Sequence, residues 1–80
     1  MTRELEIIFM QTRILRLASE KWHQTIDDTI KIFKNYKVAE FIDNCSGIFL
    51  CEGDDCVLDE VEIMLKNNGA NFDFLYVLNQ

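Results

Sequence analysis

Apolar residues recur along residues 3–21 at the spacing of an amphipathic helix. They fall on one side of a 3.6-residue turn, while most of the charged residues gather on the other. This pattern predicts one long first helix from Arg3 to Lys21. Its predicted core face consists of Ile7, Met10, Ile14, Leu17 and Ala18, widened by Ile8 and Leu15.

Two apolar residues of this segment, Leu5 and Phe9, fall among the charges of the polar face. They are four residues apart and therefore share one side of the predicted helix. Either they contact a second neighbouring element, or they form part of an exposed docking patch.

A second helix is predicted to begin at Thr25. Thr25 with Asp28 three residues later approximates a capping box, and acidic residues suit the positive end of the helix dipole. Its core side would be Ile26, Ile30 and Phe33, with Lys31 and Lys34 in water.

A third helical pattern follows from Val38, and it ends at Gly47 or continues weakly to Phe49. The next apolar run, from Ile48 to Cys51, is too short to distinguish a buried strand from a helical turn. The core side of the third helix would be Val38, Phe41, Ile42 and Cys45.

The acidic stretch EGDDCVLDE, residues 52–60, is predicted to open the last helix. Gly53 breaks the preceding element, and Asp54 or Asp55 is suited to be the N-cap. Asn67–Gly69 reads as the helix stop. The core stripe would be Val57, Val61, Met64 and Leu65, and the solvated stripe Asp55, Asp59, Glu62 and Lys66.

The tail beyond Gly69 is the most apolar part of the chain, and its aromatic residues alternate as in a strand. It either folds onto its own core or docks into a partner. We therefore expect a mainly all-α fold, with a compact bundle of about four helices over residues 1–69 and a short extended apolar tail over residues 70–80. The alternating positions are Phe72, Phe74, Tyr76 and Leu78.

Composition supports helices and points to a protein partner. The chain has no Pro and only 3 Gly, which disfavours a turn-rich β fold. Its net charge of -6 is unevenly distributed, at +2 for residues 1–37 and -8 for residues 38–80. An acidic half repels nucleic acid and attracts basic protein surfaces. With no leader-like start and no long apolar segment, we expect a cytoplasmic protein that does not enter a membrane.

No residue pattern indicates a catalytic, cofactor or metal site, so we expect a protein that is not an enzyme. The three cysteines lack C-x-x-C spacing and are odd in number, which favours reduced, mostly buried thiols. His23, the only histidine, has no recognisable catalytic partner and is predicted to be a cap or surface residue. The acidic stretch lacks the ligand spacing of a calcium loop, and its carboxylates disfavour a Cys56 thiolate.

Two spaced motifs resemble a family of very short bacterial proteins known only as a domain of unknown function. They are F-x-x-Y-x-V-x-x-x-I from Phe33 to Ile42 and V-x-D-E-V-x-x-x-L from Val57 to Leu65. The resemblance covers residues 4–66. It implies a small helical protein, often encoded beside an ADP-ribosyltransferase-like toxin, with the role of an antitoxin.

The chain also departs from that family. Members commonly carry an aromatic residue followed by Leu-His-Thr before the last helix, whereas this chain has Phe49-Leu50-Cys51-Glu52. Any role of that histidine therefore does not carry over. The tail beyond Gly69 is longer than the family pattern implies.

Two functional hypotheses remain from the sequence. In the first, the protein is a binding module that masks a partner. Its acidic residues attract and orient a basic surface of the partner, and its apolar residues supply the buried contacts. The partner would be a toxin-like enzyme or, if the acids mimic a nucleic acid, an enzyme that handles DNA or RNA. In the second, it is a small structural or regulatory homodimer with no foreign partner. The candidate partner-binding residues are Leu5, Phe9, Asp54, Asp55, Asp59, Glu62, Phe72, Phe74 and Tyr76.

Overall fold

The structure, a computed structural model, describes residues 2–70, and over that range its regular elements are all helices. This confirms the predicted mainly α-helical bundle. The apolar tail with Phe72, Phe74 and Tyr76 lies outside the described residues. The helices are α1 (Arg3–Trp22), α2 (Ile26–Asn35), α3 (Val38–Asn44), α4 (Ser46–Phe49) and α5 (Asp54–Asn67).

The first helix has well-defined ends. At its start, the Thr2 hydroxyl accepts a hydrogen bond from the Leu5 amide at 3.2 Å. At its end, His23 adopts a left-handed conformation with φ of 52°. The amides of His23 and Gln24 then donate to the carbonyls of Glu20 and Ser19, at 3.3 and 3.1 Å. This is a Schellman motif with histidine in the position that glycine usually takes.

The predicted cap of α2 is confirmed, but its predicted core face is partly wrong. The Thr25 hydroxyl accepts a hydrogen bond from the Asp28 amide at 3.1 Å. Thr29 and Phe33 are buried, whereas Ile26 is 45% exposed. Thr29 can turn inward because its hydroxyl donates to the Thr25 carbonyl at 2.8 Å. The buried face is therefore rotated away from Ile26.

Two short helices, α3 and α4, connect α2 to α5. Of the two predicted outcomes for the third helical pattern, the structure favours the continuation to Phe49: α3 stops at Asn44, and α4 contains Gly47, which therefore does not end a helix. The Ile48–Cys51 run is helix and turn and not a strand. The Cys45 carbonyl accepts from the Phe49 amide at 2.9 Å, which restarts the helix after a break. The phenyl rings of Phe41 and Phe49 meet edge to face, with centroids 5.6 Å apart.

The last helix begins at Asp54, so the residue that precedes it is Gly53 and not an aspartate. Gly53 is the N-cap in an extended conformation, and no side chain caps the first turn, so the predicted Asp54 or Asp55 cap is wrong. The predicted stop at Asn67–Gly69 is confirmed. Gly69 has φ of 82°, and the Ala70 amide donates to the Leu65 carbonyl at 3.0 Å. Only glycine adopts this conformation without strain.

One contiguous apolar core joins α1 to the other helices. Met10, Ile14 and Ala18 are buried as predicted, whereas Ile7 and Leu17 are half-buried. Ile8 was predicted to widen the core face but is 51% exposed. The other buried apolar residues are Trp22, Phe33, Val38, Ile42, Phe49, Val57, Leu58, Val61 and Leu65.

The first and last helices run parallel. Arg13 contacts Asp54, and Lys21 contacts Glu62, so a step of eight residues along α1 matches a step of eight along α5. Both pairs therefore hold one register over about 12 Å of helix. The α2 to α4 segment returns the chain to the starting end of α1, which makes this parallel arrangement possible.

Replacement of His23 by glycine should stabilise the fold. A side chain in the left-handed conformation is strained, and glycine removes that strain although it adds freedom to the unfolded chain. We expect His23→Gly to raise the free energy of unfolding by about 0.5–1 kcal/mol. Urea denaturation measures the change. His23→Ala is the control, because it removes the imidazole but keeps the strain; an equal gain from alanine would contradict this explanation.

Candidate interaction surface

The N-terminal half of α1 exposes a cluster of apolar side chains, which we call the α1 patch: Leu5, Ile8 and Phe9. Leu5 and Phe9 are 45% and 49% exposed, and Ile8 is exposed to a similar degree. The spacings of three and four residues place the three side chains next to one another on the helix surface. Within residues 2–70, Leu5 and Phe9 are therefore not covered by a second neighbouring helix, and their role in docking stays a prediction.

The acids of α5 divide into an outward group and an inward group. Asp55, Asp59 and Glu60 are exposed. The Asp59 carboxylate lies 3.6 Å from the Lys21 ammonium but remains 67% exposed. Asp54, by contrast, accepts hydrogen bonds from Nε and Nη2 of Arg13, at 2.9 and 3.5 Å.

Glu62 does not lie on a solvated face, and that part of the sequence prediction is wrong. Its side chain is only 14% exposed. One carboxylate oxygen accepts from Lys21 Nζ at 2.7 Å, and the other accepts from Trp22 Nε1 at 2.9 Å. Because Trp22 is fully buried, its indole N–H needs an acceptor from within the protein. Glu62 is therefore a structural residue of the α1–α5 interface.

The α1 patch lies near the start of α5, where the first of the outward acids is found. Phe9 is one helical turn before Arg13, whose guanidinium contacts Asp54 at the start of α5. Asp55 follows directly and is exposed. Arg13 thus brings the first turn of the acidic helix beside the patch. No local pattern in the sequence indicates the pairing of Arg13 with Asp54, because the two residues are 41 positions apart.

The groups with the greatest chemical reactivity are scattered. His23 is exposed at the α1 cap, and the three thiols are free, with Cys45 half-buried and Cys51 and Cys56 exposed. The expectation of mostly buried thiols is therefore wrong. Within residues 2–70, no group of three His, Cys, Asp or Glu side chains is placed to hold a metal ion.

No helix of the described part of the chain is long and apolar enough to cross a membrane.

A family model described as "Protein of unknown function (DUF3791)" matches residues 9–68 of the chain. The chain belongs to this family. The matched range includes Phe9 and the whole of α5, but it leaves out Leu5. Comparisons with curated proteins and with solved structures found no match. The description of the DUF3791 family names no activity.

Loss of the Glu62 carboxylate should destabilise the fold. Glu62→Ala leaves the buried Trp22 N–H without this acceptor and removes the ion pair with Lys21, so we expect a loss of about 2 kcal/mol in the free energy of unfolding. Glu62→Gln should cost less, because its amide oxygen can still accept from the indole. Urea denaturation measures both. Glu60→Ala, an exposed acid on the same helix, is the control and should change stability by less than about 0.5 kcal/mol.

Lys21 should stabilise the fold less at alkaline pH. Its hydrogen bond to Glu62 is the main cause that raises the pKa of Lys21 above its ordinary value of 10.5, with further contributions from the charges of Glu62 and Asp59. Because the pKa of Lys21 is higher in the folded than in the unfolded protein, its charge contributes its full stabilisation below the pKa of the unfolded state. This contribution is lost as the pH rises through the pKa of the folded state.

We therefore expect the stability difference between the wild type and Lys21→Met to be constant from about pH 7 to about pH 9.5 and to shrink above about pH 10.5. Urea denaturation across this range is the measurement. Lys34→Met, at an exposed position on α2, should show no such decline. A Lys21 difference that stayed constant to the alkaline end would contradict the role of its charge.

Proposed function

We propose that this protein is a non-enzymatic module that binds and masks a partner protein, as an antitoxin does. The observation that carries the proposal is the α1 patch. Leu5, Ile8 and Phe9 are 45–51% exposed and lie close together on α1, whereas the other exposed large apolar residues among residues 2–70, Ile26, Ile48 and Ile63, lie on three different helices. Adjacent exposed apolar side chains on a helix are typical of an interaction site.

Charge supports a partner with a basic surface. Residues 38–80 carry a net charge of -8. In α5, Asp55, Asp59 and Glu60 are exposed. Asp55 lies at the end of α5 near the patch, and Asp59 lies further along the interface, beside Lys21. Carboxylates in this position attract a cationic surface over a long range and favour its orientation, while apolar contacts supply most of the affinity. Contact between the α5 helices of two copies would instead bring like charges together.

The partner proposed here is a toxin-like enzyme, and this follows the resemblance to proteins encoded beside ADP-ribosyltransferase-like genes. A cleft that accepts a nucleotide phosphate is cationic, so an acidic helix beside apolar anchors is suited to cover it. In this proposal Leu5 and Phe9 are the anchors, Asp55 and Asp59 steer, and Glu60 replaces Glu62 in the steering group. Phe72, Phe74 and Tyr76 remain predicted anchors outside the described residues.

Affinity capture tests the patch directly. We expect the immobilised intact protein to capture one stoichiometric basic partner from its native host, as identified by mass spectrometry. A Leu5→Ser/Phe9→Ser double variant should lose that partner and keep its helical circular dichroism, because both side chains are exposed. Ile63→Ser is the matched control, since Ile63 is 52% exposed but lies on α5.

Binding kinetics with the captured partner then distinguish the anchoring role of the apolar residues from the steering role of the acids. Phe9→Ala should speed dissociation by about 30-fold, as for an interface anchor. Replacement of Asp55, Asp59 and Glu60 by Lys should slow association by about tenfold at low salt and weaken its salt dependence. Unchanged kinetics in both variants would reject the proposal. Recovery of the protein alone, with concentration-dependent self-association in size exclusion, would favour the homodimer instead.

A further inference from the structure

A second surface feature lies on the side of α1 that faces away from α5. It is an open groove of about 440 Å³ between α1 and α2, closed at one end by the start of α3. The Gln11 side chain ties α1 to this end, because its Nε2 donates to the Ala39 carbonyl at 2.8 Å. We call this feature the α1–α2 groove. Its apolar walls are formed by Ile8, Leu15, Ile30 and Phe33, and its basic rim by Lys34 and Lys37.

The α1 wall of the groove is two helical turns long, because Ile8 and Leu15 are seven residues apart. The opposite wall runs from Ile30 to Lys34 on α2 and is extended by Lys37 in the turn before α3. Two turns correspond to about 10 Å. A third helix lying between two helices over this length presents apolar residues at i, i+4 and i+7. The length and the helical walls therefore suit the apolar side of a helix.

The rim of the groove has the opposite charge to the chain as a whole. Lys34 and Lys37 are exposed beside apolar walls, and Glu40 is the one acid that lines the groove. Among residues 2–70, neither lysine forms an ion pair of 4.0 Å or less. The rim thus has a net positive charge on a protein whose net charge is -6. Charge complementarity selects an occupant that carries carboxylates beside its apolar residues.

We propose that the α1–α2 groove binds the apolar side of an acidic amphipathic helix from a partner protein. This inference rests on the proposed protein-binding function and names the chemistry of the partner segment. Ile8 belongs to both the groove and the α1 patch, so one partner can contact both surfaces as a continuous interface. The acidic helix of a second copy fits poorly, because Ile63 is the one large apolar residue that α5 exposes among residues 2–70.

The probe is a synthetic helical peptide with Leu at i, i+4 and i+7 and Glu at the flanking positions. Titrated into the intact labelled protein, it should shift the NMR methyl signals of Ile8, Leu15 and Ile30. A peptide of the same composition in shuffled order, and one with Lys in place of Glu, should bind at least about tenfold more weakly.

Charge reversal on the rim is the decisive variant. The double variant Lys34→Glu/Lys37→Glu should bind the Glu peptide about tenfold more weakly and the Lys peptide more tightly. Loss of folding cannot produce such a reversal of preference. Lys31→Glu is the control, because Lys31 is exposed on α2 outside the groove. Shifts outside the groove, equal binding of the shuffled peptide, or no reversal of preference would overturn the inference.

This experiment uses no natural partner, so its failure is distinguishable from failure of the proposed function. Capture of a partner that depends on Leu5 and Phe9, without peptide binding in the groove, would leave the function standing and reject the groove. Peptide binding without capture of any partner would reject the masking role.

Discussion

The hydrogen bond from the Trp22 indole to Glu62 is the constraint on which the rest of the structure depends. The chain's single tryptophan is fully buried, and an unpaired indole N–H in that position would be costly. The acceptor comes from a helix 40 residues further along the chain. Its other oxygen contacts the Lys21 ammonium at 2.7 Å, which offsets the desolvation of the carboxylate. One acid therefore satisfies two neighbouring donors of α1.

The elements around Trp22 are arranged to keep it in place. Its ring meets Phe33 of α2 edge to face, with centroids 6.3 Å apart. The tight turn between α1 and α2 makes this contact possible, because His23 reverses the chain immediately after Trp22 and Thr25 caps the next helix. A chain of this length buries only a small core. Specific polar contacts at both ends of the α1–α5 interface therefore contribute much of what fixes the register.

Local signals in the sequence predicted the helices well, and contacts between distant residues account for the differences. The Thr25 cap and the Asn67–Gly69 stop depend on residues close in sequence and were predictable. Glu62 looked like a solvated acid because its helical stripe is charged, and its partners are 40 and 41 residues away. For Gly47 the sequence left two outcomes open, an end of the third helical pattern or a continuation to Phe49. Gly47 lies inside α4, where an added Cβ would approach the Arg3 guanidinium at 3.4 Å.

The same distant contacts change what the charge pattern means for function. Sequence alone treats the acids of α5 as one steering surface, yet Asp54 and Glu62 are occupied by Arg13 and Lys21. What faces outward is a smaller acidic surface that begins near the α1 patch and runs along α5 away from it. The basic rim consists of Lys34 on α2 and Lys37 in the turn between α2 and α3, on the other side of α1. Because α1 separates surfaces of opposite charge, a single partner that contacts both surfaces must itself present a basic region and an acidic region. This pair of regions is a stronger criterion for recognising the partner than the partner's net charge.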